Sequence, residues 1–124
     1  MKKQTAICKI HKENNIIHLQ FNESSILKSS DLNEIDEYIN DFYGKDDLPK
    51  LIDVRADLRI DEKAKQFLKE QKTQSKITHQ AILAGKNTNE EILHVFIGMN
   101  SKNTPCRVFT DYDTAVEWLH STRY

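Results

Sequence analysis

Every second residue is apolar in two short runs near the start of the chain. The apolar positions are Ala6, Cys8 and Ile10 in the first run and Ile17, Leu19 and Phe21 in the second. A period of two is typical of a β-strand that buries one face. Residues 12–15, Lys-Glu-Asn-Asn, separate the runs, and asparagine tolerates the backbone of tight turns. The pattern therefore predicts an antiparallel hairpin with one buried face.

A helical spacing replaces this alternation further along the chain. Its apolar positions recur every three or four residues and are Leu32, Ile35, Ile39 and Phe42. Ser30 and Asp31 favour the start of a helix, and Gly44 favours an end in the left-handed conformation. We therefore predict a first helix between these residues, with Phe42 on its buried face.

Short apolar runs then alternate with further helical segments. Strands are predicted at residues 51–54, 81–84 and 106–109. A second helix is predicted to begin at Asp61, a third to cover residues 89–99, and a last one to begin near Thr110 and turn Trp118 towards the sheet. Strands and helices that alternate with short connections form parallel sheets with right-handed crossovers. We therefore predict one α/β domain over residues 1–124, whose mixed sheet opens with the antiparallel hairpin.

Three segments carry a resemblance to a known fold. They are residues 51–61 (Leu-Ile-Asp-Val-Arg-Ala-Asp-Leu-Arg-Ile-Asp), residues 81–85 (Ala-Ile-Leu-Ala-Gly) and the end of the chain from Phe109-Thr110-Asp111 to Trp118-Leu119. Together with the order of elements, they resemble the STAS fold of bacterial anti-sigma-factor antagonists and of the cytoplasmic tails of sulfate transporters. The first segment is similar to the strand and turn that lead into the switch helix of that family. The last is similar to the ending of a group of uncharacterised STAS-like bacterial proteins.

The chain departs from this family at the start of the switch helix. Phosphorylatable STAS domains carry a serine there, in an Asp-Ser-Ser-Gly-type turn. Here the turn is Asp61-Glu62-Lys63-Ala64, and no hydroxyl side chain lies between Asp61 and Lys72. The resemblance therefore implies a regulatory domain that binds a protein partner without this phosphoacceptor serine. We expect Asp61 to cap the helix, and Asp61, Glu62 and Lys63 to be candidate partner contacts.

The third predicted helix is apolar around almost its whole circumference. Its apolar residues are Ile92, Leu93, Val95, Phe96, Ile97 and Met99. Such a helix is either enclosed by its own protein or covers another molecule. Three interpretations remain open: burial under loops and the neighbouring helix, a homodimer seam, or a site for a small apolar ligand such as a lipid. In a dimer, Val95 and Met99 are the expected contacts, because they share the side turned away from Leu93, Phe96 and Ile97.

Charge and composition argue against several classes of protein. The 124 residues include 18 Lys and Arg and 19 Asp and Glu, with the two signs interleaved. A nucleic-acid-binding protein normally has a basic excess, which is absent here. No run approaches the roughly 20 apolar residues of a membrane-spanning helix. The first residues do not resemble a signal peptide, so we expect a cytoplasmic protein.

No constellation of residues in the sequence points to catalysis. The segment 85–88, Gly-Lys-Asn-Thr, lacks the first glycine of a phosphate-binding loop and the hydroxyl directly after the lysine. Cys8 and Cys106 are expected to be small core residues. His11 is expected opposite His18 on the outer face of the hairpin, without the further ligands that a metal needs. We therefore predict a non-enzymatic regulatory module with no cofactor or metal, which binds a protein partner or itself. The alternative is a carrier or sensor of a small apolar ligand.

Overall fold

The computed structural model describes residues 2–4, 7–22, 25–44, 48–70, 79–98 and 106–121. Within these ranges the strands are β1 (Lys2–Gln4), β2 (Cys8–Glu13), β3 (Ile16–Phe21), β4 (Ser25–Leu27), β5 (Lys50–Asp53), β6 (Leu58–Ile60), β7 (Gln80–Leu83) and β8 (Cys106–Phe109). The helices are α1 (Ser29–Tyr43), α2 (Glu62–Glu70), α3 (Glu90–Gly98) and α4 (Tyr112–Ser121).

Six of these strands form one mixed sheet in the order β1-β2-β3-β5-β7-β8. The pairs β1–β2 and β2–β3 are antiparallel, and every later pair is parallel. The predicted α/β fold, with a mixed sheet that opens on an antiparallel hairpin, is therefore confirmed. The remaining strands, β4 and β6, pair in parallel as a separate two-stranded sheet that the sequence did not predict.

Two asparagines close the β2–β3 hairpin. Asn14 and Asn15 have φ angles of 54° and 61°, in the left-handed region that asparagine tolerates better than most residues. A two-residue turn of this kind matches the twist of the flanking strands. It also fixes the register in which Ile10 lies opposite Leu19.

The sheet is covered on both faces. Helices α1, α2 and α3 pack on one face around the main core, whose central side chains include Ile10, Leu19, Ile52 and Ile82. Helix α4 packs on the other face with Ala115 and Leu119, against Ile16, Leu51, Ala81 and Leu83. The expectation that the hairpin buries one face was wrong for β3, because consecutive residues of this central strand contact opposite covered faces and are all buried from Ile16 to Leu19.

Helix α1 departs from its predicted ends and stripe. Phe42 is 50% exposed, and Tyr43 is buried in its place. At about 100° per residue, Tyr43 lies about 20° from Leu32 around the helix axis, whereas Phe42 lies about 80° away. Gly44 has a φ angle of −64°, so the predicted left-handed end is absent. The helix begins at Ser29, and the backbone N–H of Lys28 donates to the Asp31 carboxylate at 3.0 Å.

Helix α4 begins at Tyr112, and its cap lies one residue later than predicted. Asp111, rather than Thr110, caps it, because the Asp111 carboxylate accepts hydrogen bonds from the backbone N–H and the hydroxyl of Thr114 at 2.8 and 2.7 Å. Trp118 faces the sheet as predicted but is only half-buried beside Ala115 and Leu119, with its ring 5.5 Å from Phe109 and 5.8 Å from His79 between centroids.

Candidate functional site

The amino ends of α1 and α2 are held side by side by the two-stranded sheet. β4 leads directly into α1, and β6 leads directly into α2. Because the two strands are parallel, both helices start at the same end of this small sheet. The backbone N–H of Asp61 donates to the carbonyl of Leu27 at 3.2 Å and extends the pairing to the first turn of α2.

Asp61 caps α2, as the sequence predicted. Its Oδ1 accepts a hydrogen bond of 2.8 Å from the backbone N–H of Ala64, one of the N–H groups that the first turn leaves without a helical partner. Glu62 and Lys63 follow with exposed side chains. Lys65 on the next turn contacts Glu62 at 2.8 Å and Glu91 of α3 at 2.5 Å, and these hydrogen bonds raise the pKa of the lysine.

An exposed isoleucine lies beside this helix start. Ile26 of β4 is 51% exposed, and it pairs in register with Arg59 of β6, which is also exposed. No periodic pattern predicts this pairing, because three-residue strands are too short to show one. We call the group formed by Ile26, Arg59, Asp61, Glu62 and Lys63 the helix-start surface.

The side chains described on the third helix are less exposed than a homodimer seam on this helix would require. Ile92 is fully buried, and Val95 is half-buried and packs against the main core. Met99, the second expected dimer contact, lies outside the described residues. A homodimer seam on this helix therefore stays a prediction, with Val95 contributing only part of its side chain.

A second group of polar side chains lies on the α4 face of the sheet, where β3 and β5 end. Lys9, Gln20 and Asp53 form a row across β2, β3 and β5, because the register pairs Lys9 with Gln20 and Gln20 with Asp53. Two adjoining cavities of about 350 and 160 Å³ share Gln20, Asp53 and Arg55 in their walls. We call this pair of cavities the polar cleft.

Arg55 is held in the cleft by Asp53. Its Nε donates to Asp53 Oδ1 at 3.0 Å and its Nη2 to Oδ2 at 2.8 Å, a bidentate geometry. The backbone N–H of Arg55 also donates to Oδ1 at 3.1 Å. The hydrogen bonds to the carboxylate raise the pKa of Arg55. The guanidinium is thus fixed and charged at any physiological pH.

His18 forms the inner wall of the smaller cavity. It lies opposite His11 as predicted, and the two rings stack with centroids 4.7 Å apart. The expectation that both lie on an outer face was wrong for His18, which is 7% exposed because Tyr112 of α4 covers it. His18 Nδ1 lies 3.1 Å from the carbonyl of Ile16, and Nε2 lies 3.0 Å from the Tyr112 hydroxyl. A carbonyl can only accept, so Nδ1 carries the proton and the neutral Nε2 accepts from Tyr112.

Acid is expected to destabilise the fold through His18. Burial, with a smaller contribution from neighbouring His11, lowers the pKa of His18 below its usual 6.5. The unfolded chain therefore binds a proton on this residue at a higher pH than the native chain does. Stability is expected to be complete above pH 6.5 and to fall as the pH drops towards the lower native pKa. Urea unfolding between pH 8 and pH 5 measures this.

Replacement of His18 by glutamine removes the titrating group. We expect His18→Gln to lose stability at neutral pH but to show a shallower decline on acidification than the wild type. His94→Gln is the matched control, because His94 is an exposed histidine on α3. A wild-type decline that persists unchanged in His18→Gln would show that another group is responsible.

Comparison with known proteins places the chain in a family. A model described as "Domain of unknown function (DUF7793)" matches residues 10–123. The chain belongs to the DUF7793 family. A crystal structure of an uncharacterised protein of the DUF3478 family from Shewanella loihica PV-4, described as having a SpoIIAA-like fold, is similar to it with a TM-score of 0.56 and 17% identity, over 90% of this chain and 91% of that chain. No curated protein matched. The fold expected from the resemblance to anti-sigma-factor antagonists is therefore confirmed.

Of the two thiols of this DUF7793 chain, Cys8 lies in the core, as predicted, whereas Cys106 is only partly buried against it. Burial raises the pKa of Cys8 to about 12 and that of Cys106 to about 11. Both thiols are therefore protonated at neutral pH, and a protonated thiol is a poor nucleophile and a poor metal ligand. Over the described ranges, no group of three or more His, Cys, Asp or Glu residues is placed to hold a metal ion.

Two hydrogen bonds of the Thr88 hydroxyl hold the loop after β7. The backbone N–H of Gly85 donates to Thr88 Oγ1 at 2.8 Å, and the Thr88 hydroxyl donates to the carbonyl of Val54 at 2.8 Å. This is the ordinary strand-to-helix turn that the sequence favoured over a phosphate loop. Among the described helices of the DUF7793 chain, none has the length and apolar character needed to cross a membrane.

Proposed function

We propose that the protein is a non-enzymatic regulatory module that binds a protein partner through the helix-start surface. The observation that carries this proposal is the half-exposed Ile26 beside the charged first turn of α2. An apolar centre with a charged rim is the usual composition of a protein-binding patch. The SpoIIAA-like fold supports a regulatory function by analogy.

The position of Ile26 distinguishes it from the other exposed large apolar residue of the described chain. Phe42 is exposed to a similar degree, but it lies in the last turn of α1 and packs on Tyr38 with ring centroids 4.6 Å apart. Ile26 instead lies in register with the exposed Arg59 and directly precedes Leu27, whose carbonyl accepts from the N–H of Asp61 at the start of α2. The charged side chains of the helix-start surface allow a partner to be selected by complementary charge as well as by apolar contact.

The chemistry of the described residues favours binding over catalysis. The two thiols are protonated, and His18 is held between a carbonyl and Tyr112. Binding of a small apolar ligand is the alternative, and native mass spectrometry distinguishes it from binding of a protein partner.

Replacement of Ile26 by glutamate is expected to abolish partner binding without unfolding the protein. Tagged wild-type protein is incubated with extract of the native host, crosslinked and analysed by quantitative mass spectrometry. We expect at least one protein to be recovered with the wild type and reduced about tenfold or more with Ile26→Glu, since a buried charge at the centre of an interface costs several kcal/mol. Phe42→Glu is the matched control and should retain the partner.

Three other results would each contradict a part of this proposal. A partner that Ile26→Glu retains would show that a different surface binds it. Recovery of untagged copies of the chain itself would indicate a homodimer, and loss of that dimer in the Val95→Glu, Met99→Glu double variant would assign it to the third helix. A lipid found by native mass spectrometry would favour the apolar-ligand alternative.

A further inference from the structure

We propose that the polar cleft is a binding site for a small monocarboxylate ligand. The cleft lies on the α4 face of the sheet, whereas the helix-start surface is formed by β4, β6 and the start of α2. The proposal is independent of the proposed function and is tested without a protein partner. It is based on the donors that Arg55 retains, the charge balance of the cleft and the size of its larger cavity.

Arg55 retains donors for a ligand. A guanidinium has five N–H groups, and Asp53 takes one from Nε and one from Nη2. Three N–H groups remain, and two of them, one on Nη1 and one on Nη2, form a second edge that matches the two oxygens of a carboxylate. The pairing with Asp53 already orders the guanidinium, so a ligand pays less conformational entropy for binding to it.

Lys9 supplies a second cation at the larger cavity. It is exposed, and within the described part of the chain no salt bridge involves it. Asp53 balances Arg55, so Lys9 leaves the wall of the larger cavity with one positive charge in excess. A single carboxylate neutralises that charge, whereas a phosphate dianion would leave a negative excess.

The other walls of the cleft fit a small polar molecule. Gln20 is exposed between Lys9 and Asp53 and offers both an amide donor and an amide acceptor. The larger cavity, at about 350 Å³, lies at the lower end of the range of small-molecule sites. Neutral His18 and Tyr112 line the smaller cavity together with His11, whose Nε2 lies 3.5 Å from the Glu13 carboxylate. The site thus favours a compact ligand with one negative charge.

A titration with sodium pyruvate tests the assignment. ¹⁵N-labelled full-length protein is observed by two-dimensional NMR, with sodium chloride of matched ionic strength as the reference. We expect saturable shifts at the backbone amides of Gln20, Arg55 and Ala56 and at the Nε–H of Arg55. Pyruvamide, in which a neutral amide replaces the carboxylate, should produce no comparable shifts.

Four variants separate specific binding from general attraction. Arg55→Lys keeps the charge but loses the planar fork, and Lys9→Gln changes an exposed residue, so both should fold. We expect each to weaken pyruvate binding about tenfold or more. The controls Arg107→Lys and Lys12→Gln change exposed residues outside the cleft and should alter the affinity less than about twofold, because solvent and salt screen exposed charges.

Three results would overturn the proposal. The first is the absence of saturable shifts with pyruvate. The second is an equal loss in all four variants, which would indicate attraction to the protein as a whole. The third is tighter binding of inorganic phosphate than of pyruvate at the same amides, which would assign the cleft to a phosphoryl group instead.

Discussion

Leu119→Ala is expected to lower the free energy of unfolding by about 2–5 kcal/mol, the usual cost of emptying a buried leucine site. Leu119 is fully buried between α4 and the sheet, and the surrounding cluster includes Leu51 and Leu83. This cluster is separate from the main core, so the main core does not replace the lost contacts. Urea unfolding followed by the fluorescence of Trp118, the single tryptophan of the chain, measures the change.

Glu117 provides the matched control for this measurement. It lies on the same helix with an exposed side chain, so Glu117→Ala should change stability by less than about 0.5 kcal/mol. A loss of less than about 1 kcal/mol in Leu119→Ala would contradict the packing of α4 on the sheet. Loss of α4 would also uncover His18, so the variant should have a weaker acid dependence if the helix detaches.

The order of elements could be predicted because local patterns determine it. Alternation in β2 and β3, with two asparagines between them, specified both the hairpin and its register. The apolar runs at residues 51–54 and 81–84 were recognisable as buried strands, and residues 106–109 as a further strand, because helices separate them. Asp61 was recognisable as a cap because the preference of aspartate for this position has a local cause.

The errors arose where tertiary packing decides the outcome. The burial of His18 depends on Tyr112, which lies 94 positions further along the chain. The pattern of apolar residues within β3 does not indicate that α4, which is distant in sequence, covers the second face of this strand. Phe42 and Tyr43 are both aromatic. Which of them is buried depends on the face that α1 turns towards the core, and tertiary packing determines that face. Gly44 permits a left-handed end but does not require one.

The polar cleft could not be predicted as a site from the sequence. Its side chains come from three strands, and the sheet order brings Lys9, Gln20 and Asp53 into one row. The single local indication was the pair Asp53 and Arg55, which lie two positions apart at the end of a strand and therefore on the same face. The same residues lie within the segment that resembles the family's approach to its switch helix, and that resemblance implies a role for Asp61 rather than for Asp53 or Arg55.

The second large effect on stability is expected for a substitution in the two-stranded sheet of β4 and β6. Leu27 of β4 is fully buried in the main core, and its neighbour Ile26 is 51% exposed. We expect Leu27→Ala to lower the free energy of unfolding by about 2–5 kcal/mol, as for other buried leucines. Ile26→Ala should change it by less than about 0.5 kcal/mol, because the side chain is largely in solvent. Urea unfolding measures the free energy of unfolding of both variants, which differ from the wild type at two adjacent aliphatic residues.

The comparison of Ile26 with Leu27 tests the geometry on which the helix-start surface depends. The carbonyl of Leu27 accepts from the N–H of Asp61, so packing of the Leu27 side chain holds β4 against the start of α2. Hydrogen exchange at the Ala64 amide, which bonds to Asp61, should therefore accelerate in Leu27→Ala and remain unchanged in Ile26→Ala. Equal effects of the two variants would show that the strand is turned differently. In that case Ile26 would belong to the core, and the apolar centre of the proposed partner surface would be lost.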